Sequence, residues 1–307
     1  MIELAEIADA AAQVFPADAL MPPRDESWRQ VAELGWLMLD LPEADGGLAL
    51  GRAAVGTVLL EMAKALPAAP LAPALLGLQA VVAAPELPGR ADWIARISGG
   101  EYVPLNLLTG RVERLGDKLT RNITGLFEAD MATHVLAGTA DLYALIPLAA
   151  PGVTLVEHRL WDESRRLFDV VLDGFALPPE LVVAEGAAAH KLHDQLAITA
   201  HLAVAADCLG AAQAVLAMTI EYLGTRRQFD RPLAMFQALK HRVADMKVAL
   251  AGAEALFWHR VAGDPTPLEM GAMQAHCART FRDIAEDAIQ LHGGIGLTQE
   301  HPCHHFF

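Results

Sequence analysis

Arg226-Arg227-Gln228-Phe229-Asp230-Arg231-Pro232-Leu233 stands between two apolar stretches and runs on through Phe236-Gln237, His241 and Ala244-Asp245-Met246. Residues 194–223, before it, are hydrophobic on most sides of a helical wheel, which predicts a buried helix. After it, Leu239, Val243, Met246, Leu250, Ala253 and Phe257 recur at alternating spacings of four and three, which predicts a bundle seam over 235–261. The octapeptide therefore lies at a helix–helix junction, where loose backbone N–H groups and side chains can meet a ligand phosphate. Arginine suits that task because its planar fork holds two phosphate oxygens at once. On residue chemistry alone, the same stretch reads equally well as a solvated loop with a charge cluster.

Working outward, Gly263-Asp264-Pro265 breaks the second helix and 269–291 predicts another. His292-Gly293-Gly294 supplies its C-terminal glycine stop. Gly293-Gly294-Ile295-Gly296 is not a dinucleotide fingerprint, because it follows a helix and not a strand. The tail His301-Pro302-Cys303-His304-His305 is too tightly spaced for a structural zinc loop and shows no second ligand pair, so no metal is expected. Cys208 and Cys277 fall in apolar helices and read as core residues. Ser164-Arg165-Arg166 reads as a solvated turn.

Toward the N-terminus, Leu4, Ile7, Ala11 and Val14 keep a helical period. Pro22-Pro23 breaks the chain, and Ser27 is a candidate cap for a helix carrying Trp28, Val31 and Leu34, which Gly35 ends. A turn cluster over 42–47 separates it from helices over 53–66 and 75–84. From about Arg96 the pattern changes to short runs, 102–108, 111–115, 118–123, 134–137, 142–146, 154–158 and 168–172, separated by Gly, Asp or Pro. These predict a small β domain, with Asp173-Gly174 as a turn and Pro178-Pro179 as its exit.

Composition sets bounds. At 307 residues and 53% hydrophobic content a sizeable core is available. A net charge of −15 and a pI of about 5.2 argue against nucleic-acid binding, which needs a basic face. The mean hydropathy of +0.29 is high, yet polar residues interrupt the apolar runs short of a membrane span, so the excess reads as subunit interface. An acidic start without a basic leader, and three cysteines without a CxxC spacing, fit a reduced cytoplasmic setting.

Tyr222–Met246 resembles the signature of the acyl-CoA dehydrogenase family, close to R-x-Q-F-G-x-P-L-x-x-F-Q-x-x-x-H-x-x-A-D-M. Gln290-Leu291-His292-Gly293-Gly294-Ile295-Gly296 matches a second family motif at the expected remove. Ala32-Glu33-Leu34-Gly35-Trp36 and Pro42-Glu43 with Gly46-Gly47 resemble its helical N-terminal domain. The resemblance implies a mostly α fold with a small β domain: an N-terminal helical domain over 1–97, a middle β domain over 98–186 and a C-terminal four-helix-bundle-like domain over 187–307. It implies FAD as cofactor, an acyl-CoA substrate oxidised between its α and β carbons, and an electron-transferring flavoprotein as acceptor. In the family, the equivalents of Arg226, Gln228 and Phe229 meet the FAD of a neighbouring subunit at its pyrophosphate and adenosine end. Gln237 lies near the adenine, and Gln290, Gly293 and Gly294 also meet that FAD. His241 and Asp245 are family positions read as helix contacts.

Other family features are missing. The loop T-E-P-x-x-G-S-D and the turn aromatic-x-(Thr/Ser)-Asn, which hydrogen-bond the flavin ring, give way to 106–110 and 125–130. The catalytic Glu lies in one of two places in the family. One is shortly beyond the Gly-Gly-x-Gly motif, which the chain does not reach before Phe307. The other, registered on Cys208-Leu209-Gly210-Ala211-Ala212-Gln213, falls at Ala200 and His201. Ala200 takes no proton, and a histidine on an apolar helix is more often a satisfied core residue than a base. The pattern resembles the degenerate subunit of heteromeric steroid-type acyl-CoA dehydrogenases, with a complete partner chain. A homo-oligomer whose base lies beyond residue 307, and a scaffold of the same fold without FAD, are the alternatives.

Overall fold

A computed structural model of the chain describes residues 3–105, 107, 111–139, 141–162 and 164–307. Five helices come first: α1 (Leu4–Val14), α2 (Arg24–Glu33), α3 (Gly51–Ala63), α4 (Leu71–Val82) and α5 (Arg90–Ser98). Strands β1 (Arg111–Leu115), β2 (Lys118–Phe127), β3 (His134–Gly138), β4 (Leu142–Pro147), β5 (Val153–His158), β6 (Leu167–Ala176) and β7 (Val182–Glu185) follow. Then come α6 (Ala187–Thr225), the two-residue strands β8 (Arg227–Gln228) and β9 (Arg231–Pro232), α7 (Gln237–Ala262) and α8 (Pro267–His292). This is the mostly helical fold with a small sheet region in the middle. The chain divides into two units, one of residues 1–22, 56–67 and 201–307, the other of 23–55 and 68–200.

In the first unit, Met246, Leu250, Ala253, Phe257 and Val261 form the buried seam of α7, one helical face as the spacing predicts. A Cβ on Gly210 of α6 would stand 2.0 Å from the Leu60 carbonyl oxygen of α3, so only glycine allows these backbones to approach. Helix α8 starts two residues ahead of the expected 269, because Thr266 and Glu269 form a capping box around Pro267. Thr266 Oγ1 accepts from Glu269 N at 3.3 Å, and Glu269 Oε2 accepts from Thr266 N at 2.9 Å. Contrary to the sequence expectation, α6 is long and apolar enough to cross a membrane, but 56% of its apolar window is buried in the fold. Its scattered polar residues do not bring the local mean down, and the helix is apolar because it is core.

In the second unit, two antiparallel sheets, β1-β2-β6-β5 and β3-β4-β7, share one core. Phe168, Val170 and Leu172 on one sheet and Leu142, Ala144 and Ile146 on the other alternate inward at the strand period. Asp173-Gly174 is not a turn but a bulge inside β6: Leu119 and Arg121 of β2 oppose Phe175 and Leu172, leaving one extra residue, and Gly174 takes φ +65°. Among the described residues of the expected strand over 102–108, Leu105 alone pairs, bridging Leu136, while Tyr102 and Val103 are buried and the Tyr102 hydroxyl donates to Phe127 O at 2.6 Å. Pro104 has no N–H for a ladder, so this apolar run docks as a plug. Ser27 is not a cap: Pro22-Pro23 starts α2 at Arg24, and the Ser27 hydroxyl donates back to Pro23 O at 2.8 Å from inside the helix.

Arg90 grips Asp45 with both prongs, at 2.7 and 3.0 Å, tying the 42–47 turn to α5. This holds the Asp45 carboxyl below the usual aspartate range. A lowered folded-state pKa gives stability that is present above the ordinary aspartate value and is lost as pH falls through the lowered one. Asp45→Asn should therefore destabilise the chain at neutral pH and have no effect once the wild-type carboxyl is protonated. Urea midpoints that differ equally at neutral and strongly acid pH would refute this.

Candidate functional site

Helix α6 ends at Thr225, and the octapeptide folds back as a tight hairpin where the sequence predicted only a junction. Leu233 N donates to Arg226 O at 2.8 Å, and Gln228 pairs with Arg231 across the ladder. The tip residues Phe229 and Asp230 both take positive φ, +50° and +63°, the signature of a type I′ turn with no glycine to relieve it. Arg227 Nη2 donates to Asp230 O at 2.7 Å, and the Arg231 guanidinium lies 4.0 Å over the Phe236 ring. These two arginines hold the hairpin. Among the described residues the Arg226 guanidinium has no hydrogen-bond or ion-pair partner, and Phe229 is 84% exposed.

The remaining predicted positions are exposed as well. Gln237 opens α7 and its amide nitrogen lies 3.0 Å from His241 Nε2. His241 and Asp245 are exposed on α7, so the reading of them as contacts to another helix does not hold within this chain. Their helix seam is set by Met246 and Leu250, which face the opposite way. Gln290 is in the last turn of α8, where its carbonyl accepts from Gly293 N. Gly293 takes φ +65°, and a Cβ on Gly293 or Gly294 would meet nothing within 4 Å. Their backbone is bare toward solvent. Tyr222 joins the two motifs: its ring stacks on His292 at 4.5 Å, bringing the end of α6 beside the end of α8. Sequence reading treated His292 as part of a helix stop and missed this contact.

Neither base position is free to act. Ala200 is buried, and His201 Nδ1 donates to Gln274 Oε1 of α8 at 2.6 Å. The ring lies against Gly271, whose Cβ would stand 3.4 Å from His201 Nε2. The Nδ1 side of the ring is thus held by α8, which fits a packing role.

The turn over 125–130 is filled from within. Gly125 N donates to Asp169 Oδ1 at 3.0 Å. Glu128, left-handed and 2% exposed, accepts from Arg24 Nη1 at 3.0 Å and from Arg166 N at 2.7 Å. Arg166 also pairs with Asp130 and Glu157. The expected solvated turn at 164–166 is thus part of this network, with Ser164 buried and its hydroxyl donating to Asp162 at 2.5 Å. The other ring-contact candidate, Asn106-Leu107-Leu108-Thr109-Gly110, lies outside the described residues except for Leu107.

Residues 4–101 match the profile of the acyl-CoA dehydrogenase N-terminal domain, and residues 199–307 that of the acyl-CoA dehydrogenase C-terminal domain. The acyl-CoA dehydrogenase IpdE2 of Mycobacterium tuberculosis is 30% identical over 286 residues, spanning 92% of this chain and 80% of that protein. Among solved structures, the ChsE4-ChsE5 complex from Mycobacterium tuberculosis superposes with a TM-score of 0.87 at 24% identity, over 100% of this chain and 91% of the other. A variant of the Tcur3481-Tcur3483 steroid ACAD gives 0.82 at 25% identity, over 99% and 90%.

Proposed function

The chain belongs to the acyl-CoA dehydrogenase family, and from that premise we propose that it is a subunit that completes the FAD site of a partner chain. FAD is the family's cofactor; when bound, it takes the hydride from the acyl β-carbon. The observation that carries the reading is the outward hairpin, with Arg226 unpaired and Phe229 exposed, beside the bare Gly293-Gly294 backbone. Such a surface fits the pyrophosphate and adenosine end of a flavin held mainly by another chain. Arg226 would hold the pyrophosphate, Gln228 and Phe229 the adenosine side, Gln237 the adenine, and Gln290, Gly293 and Gly294 would let it approach closely.

The partner supplies the groups not found here at 125–130 and at 200–201: the ring contacts, at the place sealed by Glu128, and a carboxylate base. The substrate is an acyl-CoA, with a steroid-type acyl group favoured by the similarity to the steroid ACAD. The acceptor is an electron-transferring flavoprotein, the compartment the cytoplasm, and the division is that of the family at 1–97, 98–186 and 187–307. The paired names of both similar assemblies support a hetero-oligomer, as do exposed Val248 on α7 (74%) and Leu268 on α8 (83%).

Arg226→Ala should weaken FAD retention by about 1.5–3 kcal/mol, the worth of a charge-assisted hydrogen bond, with no loss of fold since the side chain is exposed and makes no hydrogen bond or ion pair among the described residues. Flavin absorbance of the complex after gel filtration measures it. Equal flavin content in wild type and variant would refute the placement of Arg226.

A further inference from the structure

The last residue of α8 and the tail that follows it bring together three donors that the sequence keeps apart. His292, His301 and Cys303 each place one potential ligand atom within 4.8 Å of the others. His292 and Cys303 are buried, at 4% and 1% exposure, and His301 is half-buried. All three belong to one unit of the fold. His292 Nδ1 donates to Ala288 O at 2.7 Å, which fixes the proton on that nitrogen and leaves a lone pair on Nε2. That Nε2 is buried with no hydrogen-bond partner. A buried polar atom without a partner costs about 1–3 kcal/mol, and native folds keep few of them without a reason. The carbonyl-to-imidazole bond on the far side is the arrangement that orients a ligating histidine.

We propose that His292, His301 and Cys303 bind one zinc ion, with water in the fourth position. Two imidazoles and a thiol select a borderline-soft ion over magnesium or calcium, which require oxygen donors. Ligand bonds of about 2.0–2.3 Å place donor atoms roughly 3.3–3.8 Å apart. The cluster therefore closes by about an ångström, and half-buried His301 has room to make that movement. His301 Nδ1 now accepts from Cys303 N at 3.2 Å, and ligation through either ring nitrogen gives up only this long contact. The step balances as Zn²⁺ plus the Cys303 thiol giving a zinc thiolate and one released proton. The ion would staple the segment after Gly296 to the end of α8, under Tyr222, whose ring centroid lies 5.7 Å from that of His301. The inference does not rest on the flavin reading.

The test uses the full chain, stripped with a chelator and then titrated with Co²⁺ and with Zn²⁺. One Co²⁺ should bind per chain, with a thiolate-to-metal charge-transfer band and the intense visible bands of tetrahedral cobalt, both displaced by Zn²⁺. Zinc should raise the thermal midpoint of the wild type in a concentration-dependent way. Cys303→Ser should abolish the charge-transfer band, and His292→Gln should weaken zinc by more than the roughly 10–100-fold that loss of an outer-shell partner costs. The wild-type titration needs no variant to fold. Absence of cobalt thiolate absorption there, or an undiminished band in Cys303→Ser, would overturn the proposal.

Discussion

The chain on its own should turn over no acyl-CoA, and activity should appear when an acyl-CoA dehydrogenase-like partner is added. Proton abstraction needs a base within hydrogen-bond reach of the substrate α-carbon. The family's helix position here holds Ala200 and His201, neither of them a carboxylate, and the His201 Nδ1 is taken by Gln274 of α8. Hydride transfer needs fixed donors around the receiving ring. The turn that would offer them ends in Glu128, whose carboxylate is buried against Arg24 and Arg166. On the proposed reading the exposed hairpin and the bare glycines complete only the partner's site, so one FAD per pair of chains should bind. An artificial electron acceptor and an acyl-CoA panel, applied to the chain alone and then to the complex, decide the matter. Turnover by the isolated chain that is lost in His201→Ala would reverse the assignment and make His201 the base.

Much of this was legible because local rules and tertiary demand agree. The alternating spacings gave the buried seam of α7 from Met246 to Phe257, with Leu239 and Val243 ahead of it only half-buried, and the glycine after His292 ended α8. The strands of the middle region were found wherever apolar residues alternate, as in Phe168, Val170 and Leu172. What was misread depends on contacts between distant residues. Asp173-Gly174 has the chemistry of a turn, and only its partner strand makes it a bulge. The run from Tyr102 has the composition of a strand, but a Cβ on Gly77 would sit 1.9 Å from Val103 O, so it is held as a plug against α4. Ser164-Arg165-Arg166 looked solvated because two of the partners of Arg166, Asp130 and Glu128, lie far from it in sequence. His292 was hidden the same way: its motif explains the glycines after it, while its unpartnered Nε2 shows only once the tail is folded against it.

Arg24→Ala should cost about 3 kcal/mol of stability, at the low end of the roughly 3–5 kcal/mol for breaking a buried ion pair from one side. Arg24 bridges Glu128 at 3.0 Å and Asp130 at 2.9 Å, with only a quarter of its side chain exposed. Removing it leaves the Glu128 charge out of water, with a backbone N–H from Arg166 as its remaining partner. The Coulomb term lost exceeds anything a neutral hydrogen bond restores, because Glu128 is shielded from solvent and from salt. The low end applies because Asp130 keeps its own contact with Arg166 and is partly solvated. Neutralising the stranded group tests the cause. Glu128→Gln keeps the acceptor for Arg166 N and removes the charge, so the double variant should recover most of what Arg24→Ala loses. A role of packing alone predicts no recovery, since the missing guanidinium leaves the same gap either way. Urea unfolding of both single variants and the double variant measures the coupling. A double variant no more stable than Arg24→Ala would refute an electrostatic role for the junction.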